Sequence, residues 1–529
     1  MLALQNQPIH HPNDACAWSI SRCALCILIM GFIARVYLFA VNPIINPDGF
    51  LYIQQSKALY FGLFDQVLAC YKYLSPYPIL IALFYRVLGD WVTAGQWVNI
   101  IFGTLAILPL YWLLKRFFTD NIACLAVIVF ALLPSCVEAS TWIIRGPLFW
   151  FFSLMGLFLF VLILEKPRTS LLVLSSTCFA IGAWSRIEGS LFIIVSAIFL
   201  LFVDRKNRLK NLIAFLLPYI FAGMAGAFAS HLTDIDLMAL LKPGRILTRP
   251  MEFFTHYEML REQLKTLYGT QLVSSADYFF PRVRNLIWWI ALGTFLTQAA
   301  ETLLYLFLIL LIIGFVSWMP RIKSDRRTTY LFVLFVLSIA LLYSQIIVNW
   351  VMNSRFLLVF FFPAFVFIGA GIGQMISLLK QRFQFGDARI YLMVGAIFLA
   401  LLLPKTIFSN YDKGKLVFRE IGNLIAAREN NARPVSVCGA FKRVNVIHFY
   451  ANLGYPGVSC FDRSAIIDRL NDTTIENISK KDFDYFVWNQ GTGNRQSRPV
   501  PKDLSQRFTK LKEWPSERVG KLILYEVVK

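Results

Sequence analysis

Long apolar blocks recur along this chain almost to residue 408, separated by short polar stretches. A spanning helix needs roughly 20 such residues, and the blocks predict about eleven spans. They fall at 19–41, 94–116, 121–138, 147–164, 170–185, 188–203, 212–231, 288–318, 329–350, 356–378 and 390–408. The run "YPILIALFYRVL", Tyr77 to Leu88, is too short to cross and predicts a re-entrant or interfacial helix. The first block is too long for a signal-peptide core and has no small-residue cleavage site, so it is expected to stay as an anchor.

After residue 408 the pattern changes. Polar turn signals separate short β-rich runs, "PVSVCGA", "GVSCF", "FDYFVWN" and "KLILYEV", preceded by a helical pattern, "KLVFREIGNLIAAREN". Strands mixed with helices predict a small α/β domain. The expected organisation is a membrane domain over 1–408 and a soluble α/β domain over 409–529, with no internal repeat.

Composition agrees. Of 529 residues, 57% are hydrophobic and only 16% charged, against about 25% charged in a soluble domain. The net charge of +20 invites a nucleic-acid reading. Its distribution does not: Lys115-Arg116, Lys166 with Arg168, "DRKNRLK", "RIKSDRR" and "KQRFQFGDAR" sit in every second loop. That is the positive-inside pattern, whereas a nucleic-acid face is one contiguous patch. Threading through these clusters puts the N-terminus in the cytoplasm and the C-terminal domain outside it, in the inner or plasma membrane.

The nine cysteines show no metal-binding spacing. Cys23 and Cys26 lie within the first span as small apolar filler. Cys438 and Cys460 fall in the C-terminal domain and could pair in an oxidising compartment. His231 and His256 lack a regular ligand spacing.

Unusual residues concentrate in the outward loops. The first holds Asp48, Lys57, Asp65 and Lys72; the second is "VEASTWIIRGP", with Glu138 and Arg145; the third is "SRIEG", with Arg186 and Glu188. A long fourth carries Lys242 and Arg245, and a fifth ends at Arg355. Blander roles exist for several of them. Arg145 and Arg186 can snorkel to headgroups, Glu188 can neutralise a neighbouring cation, and Asp65 reads as a helix cap. Asp48 resists such a reading. A turn between Pro47 and Gly49 is served as well by Asn or Ser, and a carboxylate at a membrane boundary needs a cation or a solvated cavity.

Several stretches together resemble a known family. "INPDGFLYIQQSKALYFG" followed by "YLSPYPILIALFYRVLGD" is similar to the first outer loop of GT-C glycosyltransferases that use polyprenyl-phosphate sugars. Protein O-mannosyltransferases and the lipid A aminoarabinose transferase belong to that group, families 39 and 83 among them. "STWIIRGPLFWFFSLMGLFLF", "GAWSRIEGSLF" and "SRFLLVFFFPAFVFIGAGIG" are similar to its later segments, in the same order. The resemblance implies an inverting transfer of a sugar from a polyprenyl-phosphate donor to a glycan, lipid or protein acceptor at the outer membrane face. It implies Asp48 as general base and a cluster of cations for the departing phosphate: Arg355, Lys242, Arg245, Arg145 and Arg186. Tyr52, Tyr77, Glu138 and Glu188 are the auxiliary candidates on the acceptor side. Where many relatives carry a second acid beside the first, this chain has Gly49, and before the proline of the second loop it has Gly146. Those acids are associated with acceptor positioning or a divalent ion, so their loss counts against metal dependence, although Glu138 or Glu188 could substitute; no other cofactor is implied. The competing readings are a lipid or glycan flippase, a catalytically degenerate homologue, and a binding or assembly protein that displays the C-terminal domain. A flippase usually shows inverted repeats, which this sequence lacks.

Overall fold

The computed structural model describes residues 18–42, 45–203, 206–233, 245–268, 274–383, 385–408, 416–439, 441, 443–467, 483–490, 508–515 and 520–527. These fall into two compact units. One comprises residues 1–38, 99–141 and 145–409; the other comprises 39–98, 142–144 and 410–529.

The first unit is a helical bundle. Across the described residues, eight helices are long and apolar enough to cross a membrane, or nine if the bent pair Asp120–Leu132 and Pro134–Thr141 is one span. Thr169–Ser185 and Ile187–Phe202 are shorter apolar helices. The expected span at 288–318 is two helices, Ser274–Thr302 and Leu306–Ser324. Between them Leu304 and Tyr305 take positive φ, 53° and 57°. No glycine or proline marks that break, so hydropathy runs straight through it.

Ser354–Phe383 is the most enclosed of the spans. It crosses Leu306–Ser324 at glycines on both sides: a Cβ on Gly371 would run into the Leu310 carbonyl, and one on Gly314 into that of Phe367. With lipid outside, helices gain little from hydrophobic burial, and small residues let backbones approach for dispersion contact. At one end of the bundle Glu165 receives two guanidiniums, those of Arg116 and Arg327, the latter at 2.6 Å. Asp325 pairs with Arg327 at 3.1 Å and caps the Arg326–Asn349 helix. Each buried cation there has a carboxylate, which is what makes such burial tolerable.

The second unit joins the first outer loop to the C-terminal α/β fold. Its sheet has the order β1-β2-β4-β3, with β1 Val437–Gly439, β2 Tyr485–Asn489, β3 Phe508–Trp514 and β4 Leu522–Val527. β1 and β2 are parallel and the other pairs antiparallel. Phe486, Trp488, Phe508, Ile523 and Tyr525 pack a core on one face with Cys438. Helices Leu416–Arg428 and Val444–Ala451 complete the fold. The side-chain amide of Asn452 bonds both backbone groups of Val435, 2.7 and 2.9 Å, as a strand partner would.

Two local expectations change. "GVSCF" is irregular rather than a strand, and β3 was not marked by any apolar run, since its exposed positions are Lys, Thr and Glu. Cys460 bonds Cys70 of the first loop, 390 residues away in sequence, rather than Cys438. Cys438 is buried in the sheet core with its thiol against the Tyr485 carbonyl.

Candidate functional site

Asp48 sits in the first turn of the helix Pro47–Tyr60, half-buried, rather than in the tight turn its neighbours suggested. Pro47 suits that first position because its missing N–H has no partner to lose there. The free N–H groups of a first turn favour a nearby carboxylate. Asn46, just before the helix, ties the loop down: its Nδ2 donates to the Ile143 carbonyl at 3.2 Å, and its Oδ1 accepts from the Ile143 N–H at 2.8 Å.

Ile143 also accounts for Gly49. A Cβ on Gly49 would lie 2.8 Å from the Ile143 Cβ, and one on Gly95 would lie 3.1 Å from Ile143 Cγ2. The place of the second acid is therefore filled with hydrocarbon. Tyr77 is fully buried, its hydroxyl donating to the Gly95 carbonyl at 2.9 Å, and burial raises its pKa well above the usual phenol value. Tyr52 packs edge-on against Tyr77 and Tyr71 at 5.5 and 5.7 Å.

The helix after Asp48 is buried rather than lying along a surface. Gln54, Gln55, Ser56 and Lys57 are all 3% exposed or less. Gln55 Nε2 donates to the carbonyls of Val67, Tyr71 and Tyr73, knotting the loop that carries Cys70. Lys57 Nζ donates to the Asn452 and Leu453 carbonyls at 3.1 and 3.4 Å. Burial draws its pKa down to about 8. The signal for this was present as four consecutive polar residues, "QQSK", inside an apolar helix.

The remaining described candidates belong to the first unit. Arg186 forms a two-pronged ion pair with Glu188, 3.0 and 3.3 Å, and Gln345 also reaches Glu188. The guanidiniums of Arg186 and Arg355 each lie 5.2 Å from the ring of Phe356, so these two cations from distant loops share one aromatic neighbour. Arg186 has part of its charge answered by Glu188. Glu138 lies half-buried on the helix Pro134–Thr141, and Arg145 directly precedes the helix Gly146–Glu165. Lys242 lies outside the described residues; Arg245 opens the helix Arg245–Tyr268, and its side chain is likewise outside them. Among the described residues no three His, Cys, Asp or Glu side chains converge on one point.

Arg35 is absent from the sequence candidates although it is the one charge within the apolar run "CALCILIMGFIARVYLFAV". It is fully buried and bridges the break between Asp120–Leu132 and Pro134–Thr141. Nη1 donates to the Ala131 carbonyl on one side at 3.0 Å, and Nε donates to Ser140 Oγ on the other at 3.1 Å. Thr406 supplies a further donor to the Leu132 carbonyl. Carbonyls freed by a break inside lipid need such donors, and the helix that carries Glu138 is held by them.

Residues 76–230 match the family model for dolichyl-phosphate-mannose-protein mannosyltransferase. No curated protein matches the sequence at a significant level. Among solved structures, the chain is similar to the archaeal oligosaccharyltransferase AglB from Archaeoglobus fulgidus, solved with an inhibitory peptide and a dolichol-phosphate. The TM-score is 0.55 at 12% identity, covering 88% of this chain and 69% of that one. It is also similar to ArnT from Cupriavidus metallidurans bound to undecaprenyl phosphate, with a TM-score of 0.51 at 10% identity, over 95% and 97% of the two chains. At such identities the structures speak for the fold. With that fold and the family-model match over residues 76–230, the chain is a polytopic membrane protein with a GT-C-like fold, similar to polyprenyl-phosphate-dependent glycosyltransferases.

Proposed function

We propose that this protein is an inverting glycosyltransferase that moves a sugar from a polyprenyl-phosphate donor to an acceptor at the outer face of the membrane. The observation that carries the reading is Asp48: a half-buried carboxylate at the head of an otherwise enclosed helix, in the first loop, where the resemblance puts the base. Asp48 takes the proton from an acceptor hydroxyl or amine as that group attacks the anomeric carbon. The bond from that carbon to the phosphate oxygen breaks, and the lipid phosphate leaves as an anion, needing no general acid. Cations stabilise it, with Arg355 and Arg186, which share the Phe356 ring, the first nominees. Arg145, Lys242 and Arg245 complete the set that the sequence nominates.

Two findings support this reading from outside the loop. The AglB and ArnT structures hold dolichol-phosphate and undecaprenyl phosphate respectively. The bond between Cys70 and Cys460 suits an oxidising compartment, which supports an outward position for both the first loop and the C-terminal fold. The test is transfer itself. Membrane vesicles with the purified protein, given radiolabelled polyprenyl-phosphate sugars, should move label to an acceptor with inversion at the anomeric carbon, read by proton coupling in the product. Absence of transfer with every donor offered, alongside movement of intact lipid across the bilayer, would replace the enzyme with a flippase.

A further inference from the structure

The buried "QQSK" run is hard to explain as packing. A helix face that only fills space is served better by leucine, since burying an amine or amide costs free energy unless its bonds are met. Gln55 is bonded within the first loop and Ser56 to Tyr52 of its own helix, while Gln54 and Lys57 meet one partner region, the C-terminal fold. Phe50 stacks on Phe449 with centroids 4.4 Å apart. Gln54 Oε1 accepts from the Ser459 N–H at 3.0 Å. Lys57 donates to two carbonyls just past the C-terminal end of the helix Val444–Ala451, where the helix dipole favours a cation. Residues 50, 54 and 57 share one face of the Pro47–Tyr60 helix. Ser459 is tied back to the Val444–Ala451 helix through His448 at 3.2 Å. Its neighbour Cys460 is bonded to Cys70, in the loop that Gln55 knots. Four attachments of different chemistry therefore hold one helix against one fold in one register, and Asp48 stands on its first turn.

Resting on the reading of Asp48 as the base, we infer that Gln54 and Lys57 are positioning residues. They latch the helix that carries Asp48 to the C-terminal α/β fold, which makes that fold a working part of the site rather than an appendage. Hydrogen bonds to fixed carbonyls allow one docking geometry, where an apolar face would allow several. A carboxylate must be held within a fraction of an ångström to act on an acceptor, and a rigid latch along the helix achieves that from a distance.

The experiment uses the full-length oxidised protein and two readouts. Amide hydrogen exchange is followed over residues 47–60, with the span Ser354–Phe383 as internal control, in wild type, Lys57→Met and Gln54→Leu. Loss of the latch should speed exchange at residues 50–60 by at least about tenfold and leave the control unchanged. In the transfer assay both variants should lose at least about tenfold in kcat, with the donor KM within about twofold. If Lys57→Met does not accumulate, Gln54→Leu and wild type with the Cys70–Cys460 bond reduced carry the same exchange test. Unchanged exchange at 50–60, equal acceleration in the control span, or faster exchange with undiminished kcat would each overturn the latch. The exchange arm does not depend on Asp48. An Asp48→Asn protein that still transfers sugar would remove the base and leave the latch standing as a structural coupling.

Discussion

His448 lies on the buried side of its helix, with Nε2 facing Ser459 Oγ at 3.2 Å and the ring edge-on to Phe461. Burial lowers its pKa from 6.5 to about 4. Between those two values the unfolded chain binds a proton that the folded chain does not. Stability therefore falls as pH drops from about 6.5 through about 4, then levels, for a total of up to about 3 kcal/mol. Melting of the protein between pH 7.5 and 4.5 should show that loss, and His448→Asn should flatten it. A variant with the same acid slope as wild type would place the loss elsewhere. The residue scale is also where the sequence was least transparent. Asp48 stood out because its type and place were both unusual. Gly49 showed only as a missing acid, since the Ile143 side chain that fills its place comes from another loop. Lys57 read as an ordinary loop charge because nothing local shows the carbonyls that receive it.

At the scale of elements, the spans were legible wherever a block of about 20 apolar residues was bounded by charge. The break at Leu304 and Tyr305 was not, because neither residue type announces positive φ. β3 was hidden because an edge strand with one covered face needs few apolar residues. The crossing of Leu306–Ser324 with Ser354–Phe383 was present in the letters as Gly314 and Gly371, but only the fold shows that the two meet. Gly371→Ala places a methyl against the Leu310 carbonyl, and backbone cannot move aside as a side chain can. The helices must part, at a cost of about 1–3 kcal/mol. Thermal unfolding in detergent should report a lower midpoint for Gly371→Ala, with Gly373→Ala, whose Cβ would have ordinary contact at 3.5 Å to Ile122, close to wild type. Equal midpoints for the two variants would mean that the crossing is looser than described.

For the whole molecule, apolar blocks and basic loops were enough to indicate a many-span membrane protein with a C-terminal α/β fold. The resemblance carried by its ordered motifs agrees with the family match and the GT-C fold. What remained illegible was the grouping of the first outer loop with the C-terminal fold in one unit. Its contacts join residues some 390 apart in sequence, as Cys70 and Cys460 do, and pairings at that distance leave no local period or spacing to read. The central claim concerns what that unit presents, the Asp48 carboxylate, as a base. Asp48→Asn keeps the size of the side chain and its place in the first helical turn but removes the proton acceptor. The direct measurement is single-turnover sugar transfer from a polyprenyl-phosphate donor in vesicles, wild type against Asp48→Asn, with melting and donor binding recorded on the same preparations. The expected result is a fall in rate of at least about a hundredfold, the low end for losing a general base, with melting and donor affinity kept. Transfer by the Asn protein at near the wild-type rate would contradict it and leave Asp48 as a helix-start residue alone.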